Sequence, residues 1–233
     1  MDVVVVDDGS RDAATVREVA QAAGVRLVRV DGLGPAAARN AGVEAARAPV
    51  VCFTDDDCEA DPAWAGALAQ ALREGASVAA GMTLSSGSRW SRAAELIVGY
   101  ASERSAQPFA ASNNLAAPTA LLRELPFDES ICAAGGEDRD WCRRASERAL
   151  TIRRVPDAVI VHHHPVSLHE FWRQQARYGA GAFRIRRMRL ESPSFYAGLV
   201  RSGFREGALI GLAVCLAQTA TLAGFARAAL GSR

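Results

Sequence analysis

The stretch 50-VVCFTDDDCEADPAW-64 decides how the chain is read. Residues 50–54 are a short β-branched and aromatic run of the kind that forms a buried strand. The run stops at three consecutive carboxylates, Asp55, Asp56 and Asp57, with Cys58, Glu59 and Asp61 close behind. Carboxylates crowded this closely repel one another unless a cation sits among them, and a hard divalent ion with oxygen ligands would do so. Such an ion, Mg²⁺ or Mn²⁺, is usually held by one or two carboxylates and completes its shell with water and substrate phosphates, which points to a diphosphate. The alternative at this point is a polar turn leading into the helix expected over Trp64–Arg73, whose start Asp61-Pro62 suits well.

Upstream, residues 3–6 form a valine run that ends in Asp7-Asp8-Gly9-Ser10, again a strand running into a turn. A helical pattern over 11–23, a strand over Arg26–Val30 and an alanine-rich helix over 35–48 fill the space between the two acidic clusters. Strands alternating with helices predict an α/β fold with a mostly parallel sheet flanked by helices, in which ligands collect beyond the carboxyl ends of strands. Both clusters lie at such ends. Downstream, the pattern predicts a strand over 77–82, a loop over 85–88, a helix over 92–103 and a segment over 109–117 that carries Asn113-Asn114. Gly135-Gly136 precede Glu137-Asp138, which open a helix to Arg148, where the helix dipole favours ionised carboxylates. Strands are expected over 151–155 and 158–162 and a helix over 168–178. The strand before His162-His163-His164 puts His162 and His164 on one face and His163 on the other.

With 49% hydrophobic residues in a chain of 233, a sizeable core can be buried. The net charge of +1 offers no field for nucleic acid. All 27 basic residues are arginine, so cationic contacts to phosphate fall to Arg, and a P-loop is excluded for want of its lysine. The five cysteines are odd in number and form no C-x-x-C pair, which reads as reduced thiols. No basic segment or cleavage site of the secretory kind follows Met1, and the expected location is the cytosol. Residues 207–226 carry no charge, long enough to span a bilayer although diluted by Gln218, Thr219 and Thr221, with 184-RIRRMR-189 upstream. The sequence divides into a domain over 1–183 and a C-terminal helical segment over 184–233. That segment either contacts the cytoplasmic face of a membrane through residues 184–226 or packs within the fold.

Taken in order, Val-Asp-Asp-Gly-Ser (6–10), Ala-Arg-Asn-Ala-Gly (38–42), Phe-Thr-Asp-Asp-Asp (53–57), Gly-Gly-Glu-Asp (135–138) and His162–His164 resemble the family 2 glycosyltransferases of GT-A fold. The resemblance runs from residue 2 to about Arg184. It implies a hexosyltransferase-type enzyme that moves a sugar from a nucleotide-diphosphate sugar to an acceptor hydroxyl, metal-dependent and inverting. It implies that Asp7, Asp8, Arg39 and Asp55 bind the nucleotide, and that Asp57, Asp55, His162 and His164 hold Mn²⁺ or Mg²⁺. Asp138 matches the general base, with Glu137 the competing candidate, and Asn113 and Asn114 are candidates for lining the sugar. Trp141 and Trp172 either stack on sugars or serve the core. The donor's base and sugar and the acceptor do not follow from these residues.

The family pattern normally begins with a further strand and helix before the Asp-Asp-Gly-Ser strand, and that strand lies centrally in the sheet. Its absence here predicts two strands with unpaired edges, whether because the true start lies upstream, another chain supplies the strand, or the chain is a degraded copy. A non-catalytic nucleotide-sugar-binding protein would carry the same motifs. A signalling receiver, the remote alternative, also ends strands in paired carboxylates but needs a lysine the chain lacks.

Overall fold

The computed structural model describes residues 2–131, 136–163, 166–185 and 191–231. The first strands are β1 (Val4–Asp8) and β2 (Arg26–Val30), joined by helix α1 (Ala13–Ala22), which Asp12 caps by accepting from Thr15 N–H. They pair in parallel, and the register sets Asp7 opposite Arg29. Helix α2 (Pro35–Ala45) has no side-chain cap of its own. The Asp8 carboxylate instead accepts from the N–H groups of Leu33 and Gly34 in the turn before it.

Next come β3 (Val50–Phe53), β4 (Cys58–Ala60), α3 (Trp64–Arg73), β5 (Val78–Ser85) and α4 (Arg89–Arg104). A short 3₁₀ turn (Ser112–Asn114) leads into β6 (Leu115–Pro118), α5 (Thr119–Glu124), α6 (Glu137–Glu147) and β7 (Ile152–His162). Five of these strands form a second sheet in the order β3-β6-β5-β7-β4. The α/β class is as expected, but the mostly parallel pairing needs correction: within this sheet only β5 and β7 run in parallel, while β3–β6, β5–β6 and β4–β7 are antiparallel. Among the described residues β1 pairs only with β2, and β3 only with β6, so each keeps one open edge, as expected.

The two strands expected over 151–155 and 158–162 are one, interrupted in its ladder. Opposite it, β5 passes from Ala80, paired with Arg154, to Met82, paired with Val159. Pro156, which has no N–H to give, falls in that irregular stretch, where no ladder bond is lost. Gly81 lies at the same place, and a Cβ there would come within 2.1 Å of the Ala158 carbonyl. The buried Asn114 closes the gap, donating to the carbonyls of Met82 and Ala158 and accepting from the Trp64 indole at 2.8 Å.

Two apolar clusters cover the sheet's faces, one around Leu115, Leu122, Phe127 and Trp141, the other around Trp64, Leu68 and Ile160. A third joins α4 to the C-terminal helices α7 (Leu168–Arg184), α8 (Pro193–Glu206) and α9 (Ala208–Gly231) through Ala93, Phe171, Leu199 and Val214. The Ser167–Glu170 capping box starts α7. α7 and α9 meet backbone to backbone: a Cβ on Gly179 would stand 1.9 Å from the Thr221 carbonyl, and one on Gly224 1.9 Å from that of Ala176. α9 buries its small residues, Gly211, Ala213, Ala217, Ala220 and Gly224, and leaves Leu209, Leu212, Leu222 and Leu230 exposed.

Candidate active site

The end of β3 and the start of α6 converge on one guanidinium. From α2, Arg39 donates through Nη1 to Glu137 Oε1 at 2.9 Å, across 98 positions of chain, and its Nη2 lies 3.5 Å from Asp55 Oδ1. The guanidinium also stands over the Phe127 ring, 5.8 Å from its centroid, which fixes its plane. Glu137 is buried, and its other oxygen accepts from Gly136 N–H. A buried carboxylate so partnered is held in place. Burial raises the Asp55 carboxyl above its ordinary range, with Arg39 pulling against it and Asp57 adding to it.

Asp138 follows Glu137 in the first turn of α6, partly exposed, accepting from Arg139 N–H at 2.7 Å. Burial first, and then the like charge of Glu137, pushes its carboxyl up to about 6, against the pull of Arg139 and Arg39. A carboxylate of that basicity is ionised at neutral pH yet ready to accept a proton.

The short strand β4 sets the other half of the site. It pairs antiparallel with the end of β7, Cys58 opposite His162 and Glu59 opposite Val161. Asp57 stands just before β4, and His162 Nε2 lies 3.0 Å from its Oδ2. His163 faces the other way, as the alternation requires, and contacts Glu59 at 3.1 Å. One donor atom each from Asp57, Cys58 and His162 lies within 4.8 Å of the others. Carboxylate and imidazole together fit a divalent ion, Mn²⁺ better than Mg²⁺ because of the nitrogen. His164 lies outside the described residues.

The remaining expected residues fall in different places. Asp7 is buried, accepting from Ser10 N–H and paired with Arg29, which together hold its carboxyl below the usual range. Asp8 is bound to the turn before α2. Both therefore serve the fold as well as the strand end, although each oxygen keeps a second lone pair for a ligand. Asn113 is partly exposed, its amide oxygen 3.4 Å from the Thr83 hydroxyl. Asn114 is a correction: 2% exposed, with its oxygen and its amide group all engaged between β5, β7 and α3, it belongs to the core and not to a sugar pocket. Trp141 is likewise core, fully buried, stacked on Phe127 and donating to the Leu125 carbonyl.

Two residues escaped the sequence reading. Cys58 is one, because an acidic turn gave no sign of a strand there. Tyr178 of α7 is the other. Its helix reaches the start of α6, where a Cβ on Gly136 would touch the Ile185 side chain at 3.3 Å. The Tyr178 phenol is pushed up to about 12 by its low-dielectric surroundings and then by the charges of Asp138, Glu137 and Asp55, while the residue as a whole keeps 38% of its surface exposed. No spacing in the sequence links α7 to the acidic motifs.

Residues 1–127 match the family model described as Glycosyl transferase family 2, more than half of the 233-residue chain. No curated protein matches the chain. Among solved structures, a mycobacterial protein is 23% identical, with 79% of this chain covering 64% of that one at a TM-score of 0.56. GalNAc-T7, solved with UDP, GalNAc and Mn²⁺, is 13% identical, with 97% of this chain covering 49% of that one at a TM-score of 0.57. The mannosyltransferase PcManGT from Pyrobaculum calidifontis, in complex with GDP-Man and Mn²⁺, is 22% identical, with 99% of this chain covering 70% of that one at a TM-score of 0.54. These likenesses are of fold, and the chain spans less than two thirds of the length of the first two.

Proposed function

The chain belongs to glycosyl transferase family 2, and from that premise we propose that it transfers a sugar from a nucleoside-diphosphate donor to an acceptor hydroxyl with inversion at the anomeric carbon. The observation that carries this reading is Arg39, which ties Asp55 at the end of β3 to Glu137 at the start of α6 and so makes one site of two distant acidic motifs. Between the two α6 carboxylates, Glu137 is occupied by Arg39 and the Gly136 amide, which leaves Asp138 to take the acceptor's proton as its oxygen attacks. Asp57 and His162 would hold a divalent ion, with Asp55, which Arg39 engages, beside them. When bound, that ion supplies positive charge against the diphosphate leaving group. Asp7 and Asp8 suit the nucleoside, accepting from ribose hydroxyls or a base N–H through their remaining lone pairs. Asn113 faces partly outward from the turn before β6 and suits a sugar contact.

A nucleotide-sugar-binding protein without turnover is the second reading, favoured by the open edges of β1 and β3, which leave the two halves of the site on separate sheets. The two are separated by assaying UDP-, GDP- and dTDP-sugars with Mn²⁺ or Mg²⁺, comparing the chain with Asp57→Ala and Asp138→Ala. Turnover that needs the ion and falls at least ~100-fold in Asp138→Ala is expected of the enzyme. Nucleotide binding with no turnover on any donor would leave the binding reading standing.

α9 supports a further part of the proposal, contact with the cytoplasmic face of a membrane. It is the one described helix long and apolar enough to cross a bilayer, yet a third of its most apolar window is buried against the protein. A helix so engaged lies in the interface with its leucine stripe toward lipid and Arg201, Arg205 and Arg227 exposed nearby for anionic headgroups.

A further inference from the structure

The expected donors around the ion are carboxylate oxygens and an imidazole, but the fold adds a sulfur. In an antiparallel pair, residues directly opposite share a face, so the register of β4 with β7 turns Cys58 and His162 to the same side. Cys58 Sγ lies 3.9 Å from Asp57 Oδ1, and His162 Nε2 lies 3.0 Å from Asp57 Oδ2. A tetrahedral zinc ion, with about 2.3 Å to sulfur and about 2.0–2.2 Å to nitrogen or oxygen, requires its donors about 3.3–3.7 Å apart. The three donor atoms lie within 4.8 Å of one another at the paired ends of β4 and β7, close to that spacing.

We propose that Cys58 completes a thiol, imidazole and carboxylate site with His162 and Asp57, and that this makes the chain select thiophilic divalent ions, zinc or cobalt, over manganese and magnesium. Sulfur is the discriminating donor. Mn²⁺ and Mg²⁺ gain little from it, whereas Zn²⁺ and Co²⁺ form strong bonds to it. On binding, the thiol proton passes to solvent as the metal–sulfur bond forms and a water leaves the ion, with no change of oxidation state. The fourth position stays open in such a set of three protein donors, the arrangement that leaves room for a substrate oxygen. The inference rests on the reading of Asp57 and His162 as metal donors and is independent of which sugar, if any, is transferred.

The test is titration of the reduced, full chain with Co²⁺, followed by its near-ultraviolet sulfur-to-cobalt charge-transfer band, alongside Zn²⁺ and Mn²⁺ affinities from calorimetry and electron paramagnetic resonance. Cys58→Ser and Asp57→Ala are the variants. The expected result is a charge-transfer band in the parent chain that is absent from Cys58→Ser, with the ratio of Zn²⁺ to Mn²⁺ affinity falling at least ~10-fold in that variant. The serine keeps the size of the side chain, and the other cysteines serve as the internal control for stray thiol binding. Cobalt that binds without the band, or a Cys58→Ser variant with an unchanged affinity ratio, would overturn the proposal and leave Cys58 as the apolar filler that its contacts with the Trp64 cluster also allow. Mn²⁺ binding that depends on Asp57 in that same experiment would preserve the metal reading on its own. If neither ion binds, both fall together.

Discussion

Asp138→Asn separates the cost of the proposed base from its use. The carboxyl rises from 3.8 to about 6 in the folded chain, and each unit is 1.36 kcal/mol, so ionised Asp138 opposes folding by about 3 kcal/mol before solvent screening. Its partial exposure reduces this to about 1–2 kcal/mol. Because the folded value lies above the unfolded one, Asp138 costs nothing below about 4, and stability is lost as the pH rises through the window up to about 6. Asparagine keeps the size and the oxygen that accepts from Arg139 N–H, and removes the charge beside Glu137. Thermal unfolding should therefore place Asp138→Asn about 3–6 °C above the parent at pH 8, with the gap narrowing as the pH falls through 6 toward 4. Turnover should drop ~100-fold or more in the same protein, and in the parent it should decline below pH 6 as the base is protonated. A variant less stable than the parent at pH 8, or a gap of constant size across this range, would refute the argument that burial and Glu137 set the basicity of Asp138.

Two further perturbations address the rest of the frame. Arg39→Gln removes the Arg39–Glu137 ion pair at a buried carboxylate and should cost about 3 kcal/mol in denaturant unfolding, while the double variant Arg39→Gln/Glu137→Gln should recover most of that stability and none of the turnover. Equal loss in single and double variants would show that the pair is not coupled. Leu212→Asp with Leu222→Asp, at positions 59% and 68% exposed, should reduce sedimentation of the chain with anionic vesicles ~100-fold, two leucines being worth about 3 kcal/mol or more. Equal partitioning of parent and variant would remove α9 from any membrane contact.

What the sequence made legible follows the range of the forces involved. β2 and α3 have the bounds expected of them, Arg26–Val30 and Trp64–Arg73, because each is closed by local signals: turn residues around one, Asp61-Pro62 and a basic last turn for the other. β4 was hidden because Cys58-Glu59-Ala60 has no strand pattern of its own and exists only as the partner of β7, a hundred residues on. α5 has no expectation in the sequence, and α8 falls inside the expected C-terminal helical segment without being set apart from α9, although Ser192-Pro193 is an ordinary helix entry. Period-2 alternation separated His163 from His162 correctly, yet Asn113 and Asn114 were read alike, and only packing distinguishes the outer from the buried one. The carboxylates were legible because their crowding is itself a chemical statement. Tyr178 and Cys58 were not, since their relation to the site comes from tertiary contact alone.

The split between the sheets changes what holds the site together. In a continuous sheet the ends of β1 and β3 would be fixed to each other by a ladder of backbone hydrogen bonds; here no such ladder joins them among the described residues, and Val3 just before β1 and Val5 on it remain 42% and 37% exposed. The connection passes through α2. Its entry turn is bound by Asp8, Gly42 lets Val6 approach, and the next ties along it are Asn40, which bonds the Phe127 backbone and Glu129, and Arg39, which bonds Glu137 and Asp55. Side-chain bonds on one helix are fewer and more compliant than a strand ladder, so the spacing between Asp7-Asp8 and Asp55-Asp57 is governed by Arg39 and Asn40 more than by the sheet. On the proposed function, Arg39 therefore sets the distance a diphosphate would have to span, and any strand that paired with both open edges would relieve it of that task.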